Sequence, residues 1–242
     1  NKLAHAYLFY GPQEVGKFTL AKKLAQSLLC QEKPQSLSDA CGQCLNCRTI
    51  ESGTNPRVEI LDLEHTLVSK KEKRSDIPIE DLRELRRRFS IAAPAGEWRI
   101  AIINQADKMS TEATNAFLKL LEEPGENILF ILIAENREGV LPTILSRATA
   151  VGFYPVAEQA MREGLKKEKL SAEVLDKIIF CAEGRPGRAI KFIEDDRELA
   201  KEEKLAKEID LIFQQKDLPK LFNLSEKAAQ EDKLATRVAE ST

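Results

Sequence analysis

Between Arg99 and Pro124 the sequence runs RIAIINQADKMSTEATNAFLKLLEEP. Its first half holds a short, bounded, isoleucine-rich run, Ile100-Ala-Ile-Ile103. Such a run suits a strand covered on both faces, as in a parallel sheet. It stops at Asn104, Gln105, Ala106 and Asp107. A helix is expected to follow, starting near Ser110 or Thr111, because a hydroxyl there can accept from the free N–H groups of a first turn. Glu112 places a carboxylate in that turn, and Pro124 closes the helix.

Working outward, the same alternation recurs. Ala6 to Tyr10 (AYLFY) reads as a first strand. Gly11 to Lys17 reads as a loop. From Lys17 to Cys30, residues Leu20, Ala21, Leu24, Ala25 and Leu28 fall at helical spacing. Val58-Glu-Ile-Leu61 is a second strand, and residues 65–76 are a polar, mobile surface loop. Ile79, Leu82, Leu85 and Phe89 mark a helix after Pro78, and Arg83, Arg86, Arg87 and Arg88 add positive charge to it. Ile128 to Ala134 (ILFILIA) is a fourth strand. Leu141 to Arg147 is a turn of helix, and Thr149 to Phe153 a fifth strand. Strands alternating with helices specify an α/β domain with a parallel five-stranded sheet, here residues 1–155. Strand signals stop there. Helices are expected at 157–168, 171–183 and 187–195, then at 197–215 and 217–238 beyond the charged junction Glu194-Asp-Asp-Arg197.

The chain has 242 residues, 43% hydrophobic and 31% charged, with a net charge of −2. That composition supports a sizeable core. No apolar run approaches the roughly 20 residues that span a bilayer. Asn1 to Phe9 leads straight into a strand rather than a secretory signal, so a cytoplasmic location is the expectation. The chain starts without Met and ends at Ser241-Thr242 after a helical pattern, as a piece of something longer would. The near-neutral charge argues against wholesale coating of nucleic acid. The arginines on the helix after Pro78 leave a local DNA-binding face as one reading and an ordinary solvated face as another.

Gly11-Pro-Gln-Glu-Val-Gly16-Lys17-Phe18 nearly satisfies G-x-x-x-x-G-K-[ST], in the required context of strand, glycine loop and helix. Backbone N–H groups of such a loop, with the helix N-terminus behind them, cradle phosphates, and the lysine neutralises β and γ oxygens. The eighth position needs a hydroxyl for Mg²⁺ and holds Phe18. Thr19 comes one residue late, which on a helix turns its side chain about 100° away. In ATPases with this loop, the end of the central strand carries an acidic residue that helps hold Mg²⁺, often beside a second carboxylate that positions water. Asn104 and Gln105 stand in those places. Both protein contacts to the metal are therefore missing, and without Mg²⁺ the γ-phosphate charge is not neutralised in the transition state. Hydrolysis is not expected. Gly11, Gly16 and Lys17 still allow weak nucleotide binding, or are vestigial.

Cys30, Cys41, Cys44 and Cys47 form C-x10-C-x2-C-x2-C. In an intracellular protein this spacing favours a metal over disulfides. Four thiolates make a closed tetrahedral zinc site with no open position, hence a structural role. Cys181, His5 and His65 fit no ligand pattern and read as structural. Ser146-Arg147 lies just before the fifth strand. Arg147 reads either as a surface ion pair or as an arginine finger offered to a neighbour's nucleotide, where such a residue is worth ~10³–10⁵ in rate. Asn136, after the fourth strand, stands where a polar side chain can sense γ-phosphate. Arg188, at the start of a helix after Gly184-Arg-Pro-Gly187, is placed to point back at a nucleotide.

Together these residues resemble the bacterial clamp-loader family within the AAA+ ATPases, and within it the delta-prime branch. The resemblance is carried by His5-Ala-Tyr-Leu-Phe9, the altered phosphate loop, Leu29-Cys30-Gln31, and the cysteine module ending in Cys47-Arg-Thr-Ile-Glu-Ser-Gly-Thr-Asn-Pro56. Asn115-Ala-Phe-Leu-Lys-Leu-Leu-Glu-Glu-Pro124 and Ile144-Leu-Ser-Arg147 complete the set. It covers residues 1–155 and, more loosely, the chain to Arg188. The resemblance implies a RecA-like sheet domain, a small helical lid at 156–196, and from 197 the start of a helical collar. It also implies a hetero-pentamer with motor subunits of the gamma/tau type and a delta subunit, acting on a sliding clamp and primed DNA. Delta-prime subunits act as stators that do not hydrolyse ATP and give the Ser-Arg arginine, here Arg147 beside Ser146, to the adjacent motor. The family usually has Cys after that arginine, and this chain has Ala148. The rival reading is an active ATPase of the gamma/tau type.

Overall fold

The computed structural model describes residues 3–32, 40–64, 67–68, 75–90 and 96–215. The surface loop expected at 65–76, with His65, falls largely outside the described residues, and the helix expected at 217–238 falls wholly outside them. The chain divides into two compact units, one through Tyr154 and one from Pro155.

The first unit contains β1 (Ala6–Tyr10), α1 (Lys17–Leu29), α2 (Leu45–Glu51), β2 (Val58–Leu61), α3 (Ile79–Ser90), β3 (Arg99–Ile103), α4 (Thr111–Glu122), β4 (Ile128–Ala134), α5 (Pro142–Leu145) and β5 (Thr149–Gly152). The strands form one sheet in the order β2-β3-β4-β1-β5. Every pairing is parallel, with Leu8 beside Leu132 and Ile102 beside Ile131. All seven residues of β4 are buried, as its unbroken apolar sequence requires.

Successive side chains of a strand point to opposite faces, so the sheet builds two cores. One face sends Leu8, Ala101, Ile103, Phe130 and Leu132 against Leu82 and Leu85 of α3, Phe117 of α4 and Ile144 of α5. The other sends Phe9, Ile100, Ile102, Leu129 and Ile131 against Ala21, Ala25 and Leu29 of α1 and Ile50 of α2. Phe117 is fully buried and meets Phe130 edge-on at 5.2 Å. Burying one such side chain contributes about 1.5–3 kcal/mol. Helix α4 begins as its sequence demands: Ser110 Oγ accepts from the Ala113 N–H at 3.1 Å.

The structure adds α2, which lies inside the cysteine module. It has seven residues, of which Cys47 and Ile50 are buried. A helix that short is not stable alone and draws its stability from what it packs on, so periodicity cannot announce it. The helix expected at 141–147 is shorter, closing at Leu145 with the Ser146 N–H returning to the Ile144 and Pro142 carbonyls.

The second unit contains α6 (Glu158–Leu165), a 3-10 turn, α7 (Ala172–Ala182), α8 (Pro186–Glu194) and α9 (Asp196–Gln215). Met161, Ile178, Ala182, Ala189, Phe192 and Leu199 form its core, and Cys181 is buried there. Leu199 thus ties the start of α9 to α7 and α8. Among the described residues no helix is long and apolar enough to cross a membrane.

Candidate functional site

In open parallel sheets, ligands bind outside the carboxyl ends of the strands where the strand order reverses. Here β1 lies beside β4, with β4 and β3 between it and β2, so the loop after β1 occupies that place. Gly11 has φ 142°, and a Cβ there would lie 2.1 Å from the Phe153 carbonyl oxygen. Only glycine fits that approach. Gly16 has a left-handed φ of 98° and caps α1 without a side chain, leaving the first N–H groups of the helix facing the loop.

Lys17 is only 6% exposed. Its ammonium donates to the carbonyl oxygens of Gly11 at 2.6 Å and Pro12 at 2.5 Å. Burial lowers its pKa, and the carboxylates of Glu135 and Asp107 oppose that shift. The cation of the phosphate loop is thus held by the loop itself. Phe18 packs against the α1-side core, with the Lys22 ammonium 5.5 Å from its ring centre. A side chain in that position has nothing to offer Mg²⁺.

At the end of β3, the Asn104 N–H donates to the Leu61 carbonyl at 2.8 Å, and Gln105 takes a left-handed φ of 57°. No carboxylate stands at either residue. Asp107, three residues on, is close enough to act electrostatically on Lys17, and its Oδ1 is buried with no hydrogen-bond partner among the described residues. The sequence reading did not single out Asp107 or Glu135, because their approach to Lys17 depends on how β1, β3 and β4 line up. Asn136 Oδ1 accepts from the Gly139 N–H at 2.6 Å, closing its own turn.

Ser146 and Arg147 are brought together at the end of α5. Ser146 Oγ donates to the Thr143 carbonyl at 3.0 Å and accepts from Arg147 Nη1 at 3.3 Å. Nη1 also donates to the Thr143 carbonyl at 3.0 Å, and Nη2 to Glu122 Oε1 at 2.8 Å. Ile144, fully buried, anchors the turn. Glu122, the last residue of α4, is a further residue that sequence reasoning missed: it lies 25 residues from Arg147. Arg188 belongs to the second unit and is engaged there, paired with Glu202 and Glu183 and lying 5.4 Å from the Phe192 ring.

The four cysteines converge. Cys30 ends α1, Cys44 caps α2, and all four sulfurs lie within 4.8 Å of one another. A tetrahedral Zn–S distance of 2.3 Å places sulfurs about 3.8 Å apart, and Cys41 and Cys47 already stand at 4.0 Å. N–H groups of Gln43 and Cys44 point at Cys41 Sγ at 3.4 and 3.3 Å, and that of Cys47 at Cys44 Sγ at 3.5 Å. Such bonds support thiolates. Burial opposes ionisation of Cys44, but hydrogen bonds from the Gln31 and Cys47 backbone and the neighbouring thiols bring it down to about 6. Burial and the Cys44 thiol push Cys47 up to about 12. Full deprotonation of the set therefore calls for a cation at its centre, and these four residues can hold a zinc ion.

The arginine face of α3 is partly neutralised. Arg87 and Arg88 both bond Glu84, and Arg88 also bonds Glu59 at 2.8 Å. Arg83 and Arg86 make no ion pair among the described residues and, with Asn115 and Lys119, line a groove of about 340 Å³.

A parallel sheet with a phosphate loop after β1, an altered metal position after β3 and a Ser-Arg turn before β5 defines a P-loop protein of the AAA+ type. A family profile described as "DNA polymerase III, delta subunit" matches residues 1–157. The chain belongs to this family of clamp-loader subunits of DNA replication. It is 28% identical over 216 residues to the DNA polymerase III subunit delta' of Bacillus subtilis, covering 89% of this chain and 62% of that one. It is 34% identical over 162 residues to the DNA polymerase III subunit gamma/tau of Mycobacterium tuberculosis, covering 67% and 26%. A DNA polymerase III gamma subunit-related protein from Thermotoga maritima superposes with a TM-score of 0.48 at 19% identity, over 86% of this chain and 58% of that one. The chain spans less than two thirds of the length of these relatives.

Proposed function

We propose that this chain works as a delta-prime-type stator in the clamp loader of DNA polymerase III. It hydrolyses no ATP itself, and it completes the active site of an adjacent gamma/tau-type motor subunit by supplying Arg147. Its partners are those motor subunits and a delta subunit in a hetero-pentamer, and through the assembly a sliding clamp and primed DNA. Its location is the cytoplasm. Residues 1–155 form the AAA+ domain, 156–196 the lid, and 197–242 the start of the collar. Zinc on Cys30, Cys41, Cys44 and Cys47 has a structural role, since four thiolates leave no coordination position for a substrate.

The observation that carries the reading is the state of the phosphate loop. Lys17 is bound by the Gly11 and Pro12 carbonyls, while Phe18 and Asn104 stand where Mg²⁺ ligands are needed. Phosphoryl transfer relies almost entirely on positioning and on charge neutralisation by that metal. The identity to a gamma/tau subunit supports a second reading, an active motor. Mg²⁺-dependent ATP hydrolysis by the purified chain separates the two. The stator reading expects turnover at the level of the protein-free blank. Turnover that depends on Mg²⁺ and is abolished by Lys17→Ala contradicts it.

A further inference from the structure

We infer that Glu122 is a positioning residue for Arg147. The inference rests on the reading of Arg147 as an arginine finger and adds the group that aims it. The Arg147 guanidinium is held from two sides. On the α5 side, the Thr143 carbonyl and Ser146 Oγ take Nη1. On the α4 side, Glu122 Oε1 takes Nη2 at 2.8 Å. Among the described residues Nε–H has no partner, so the outer edge of the fork remains available to a phosphate oxygen. A planar guanidinium fixed at both Nη atoms has lost the rotations that would otherwise be frozen on contact with the neighbour's nucleotide.

The two supports rest on the same core. Phe117 and Leu121 bury α4 beneath Glu122, and Ile144 buries α5 beneath Ser146. Glu122 therefore presents its carboxylate from a helix end that cannot easily shift, and α5, a single turn with no side-chain cap of its own, does not orient the arginine alone. The pair is exposed to solvent, with side chains 36% and 50% accessible, so it adds little to stability. Its consequence is orientation rather than folding.

The test uses the reconstituted complex of motor subunits, delta subunit and the full-length version of this chain, with DNA- and clamp-stimulated ATP turnover as the readout. Glu122→Ala is expected to lower kcat in the same direction as Arg147→Ala and by no more than it, because a misplaced group can cost about 10²-fold at the site it serves. KM for ATP and assembly of the complex should stay unchanged. Glu122→Gln keeps an acceptor for Nη2 and should retain most of the rate. In an Arg147→Ala background, Glu122→Ala should have no further effect. If Arg147→Ala slows turnover but Glu122→Ala does not, or if Glu122→Ala speeds it, the positioning role is overturned while the finger stands. If Arg147→Ala itself leaves turnover unchanged, the finger reading fails first.

Discussion

The Lys17 ammonium shows why a motif has to be read with its neighbours. The Lys17 Nζ donates to the Gly11 and Pro12 carbonyls, and Glu135 and Asp107 supply the opposing charge. Phe18 stands where the motif needs a hydroxyl for Mg²⁺. Elsewhere, single side chains are tuned by what they touch. Glu84 accepts hydrogen bonds from Arg87 and Arg88, which hold its carboxyl at about 2. The folded value lies below the ordinary one, so the interaction is complete above the ordinary carboxylate range and is lost as pH falls through about 2. The ion pairs lie at the surface, with the Arg87 side chain 68% exposed, so water screens the effect and stability changes little. An NMR titration of the Glu84 side-chain carboxyl should give a midpoint near 2, and one in the ordinary range in the doubly substituted Arg87→Ala, Arg88→Ala chain. An ordinary midpoint in the unsubstituted protein contradicts this pairing.

At the level of elements, legibility followed burial pattern. β4 is apolar throughout and β3 is apolar after Arg99, so both were readable as strands, and α4 announced itself through Ser110 and Pro124. Helix α2 was not readable, since seven residues carry too little periodicity and its stability comes from Ile50 in the sheet core and Cys47 in the sulfur cluster. The convergence of four cysteines was legible from spacing alone, because C-x2-C-x2-C restricts where the thiols can lie. The bond from Arg147 to Glu122 was not, because no local period links the end of α4 to the end of α5. The zinc reading makes a prediction for these elements. Freshly purified, reduced protein should contain about one zinc per chain, and Cys41→Ser should lower that content sharply while the sheet survives on the core beneath α3 and α4. Metal-free protein with unchanged thermal unfolding contradicts a zinc-held module.

For the whole molecule, the parallel sheet sets the phosphate loop at one strand end and the Ser-Arg turn before the outer strand β5. On the proposed reading, one chain of this design carries both halves of a shared catalytic arrangement, its own nucleotide loop and an arginine for another's. On that reading Phe18, Asn104 and Gln105 disable only the first half. On the same reading the chain contributes to ATP turnover only within an assembly. The most direct test is ATP turnover by the reconstituted clamp-loader complex, stimulated by clamp and primed DNA, with the chain unsubstituted or carrying Arg147→Ala and with equal assembly verified. The account predicts a clear fall, by the share of turnover that the one motor site served by Arg147 contributes, since an arginine finger is worth ~10³–10⁵ at that site. Equal turnover by the two complexes contradicts it, and makes Arg147 a surface residue tied to Glu122.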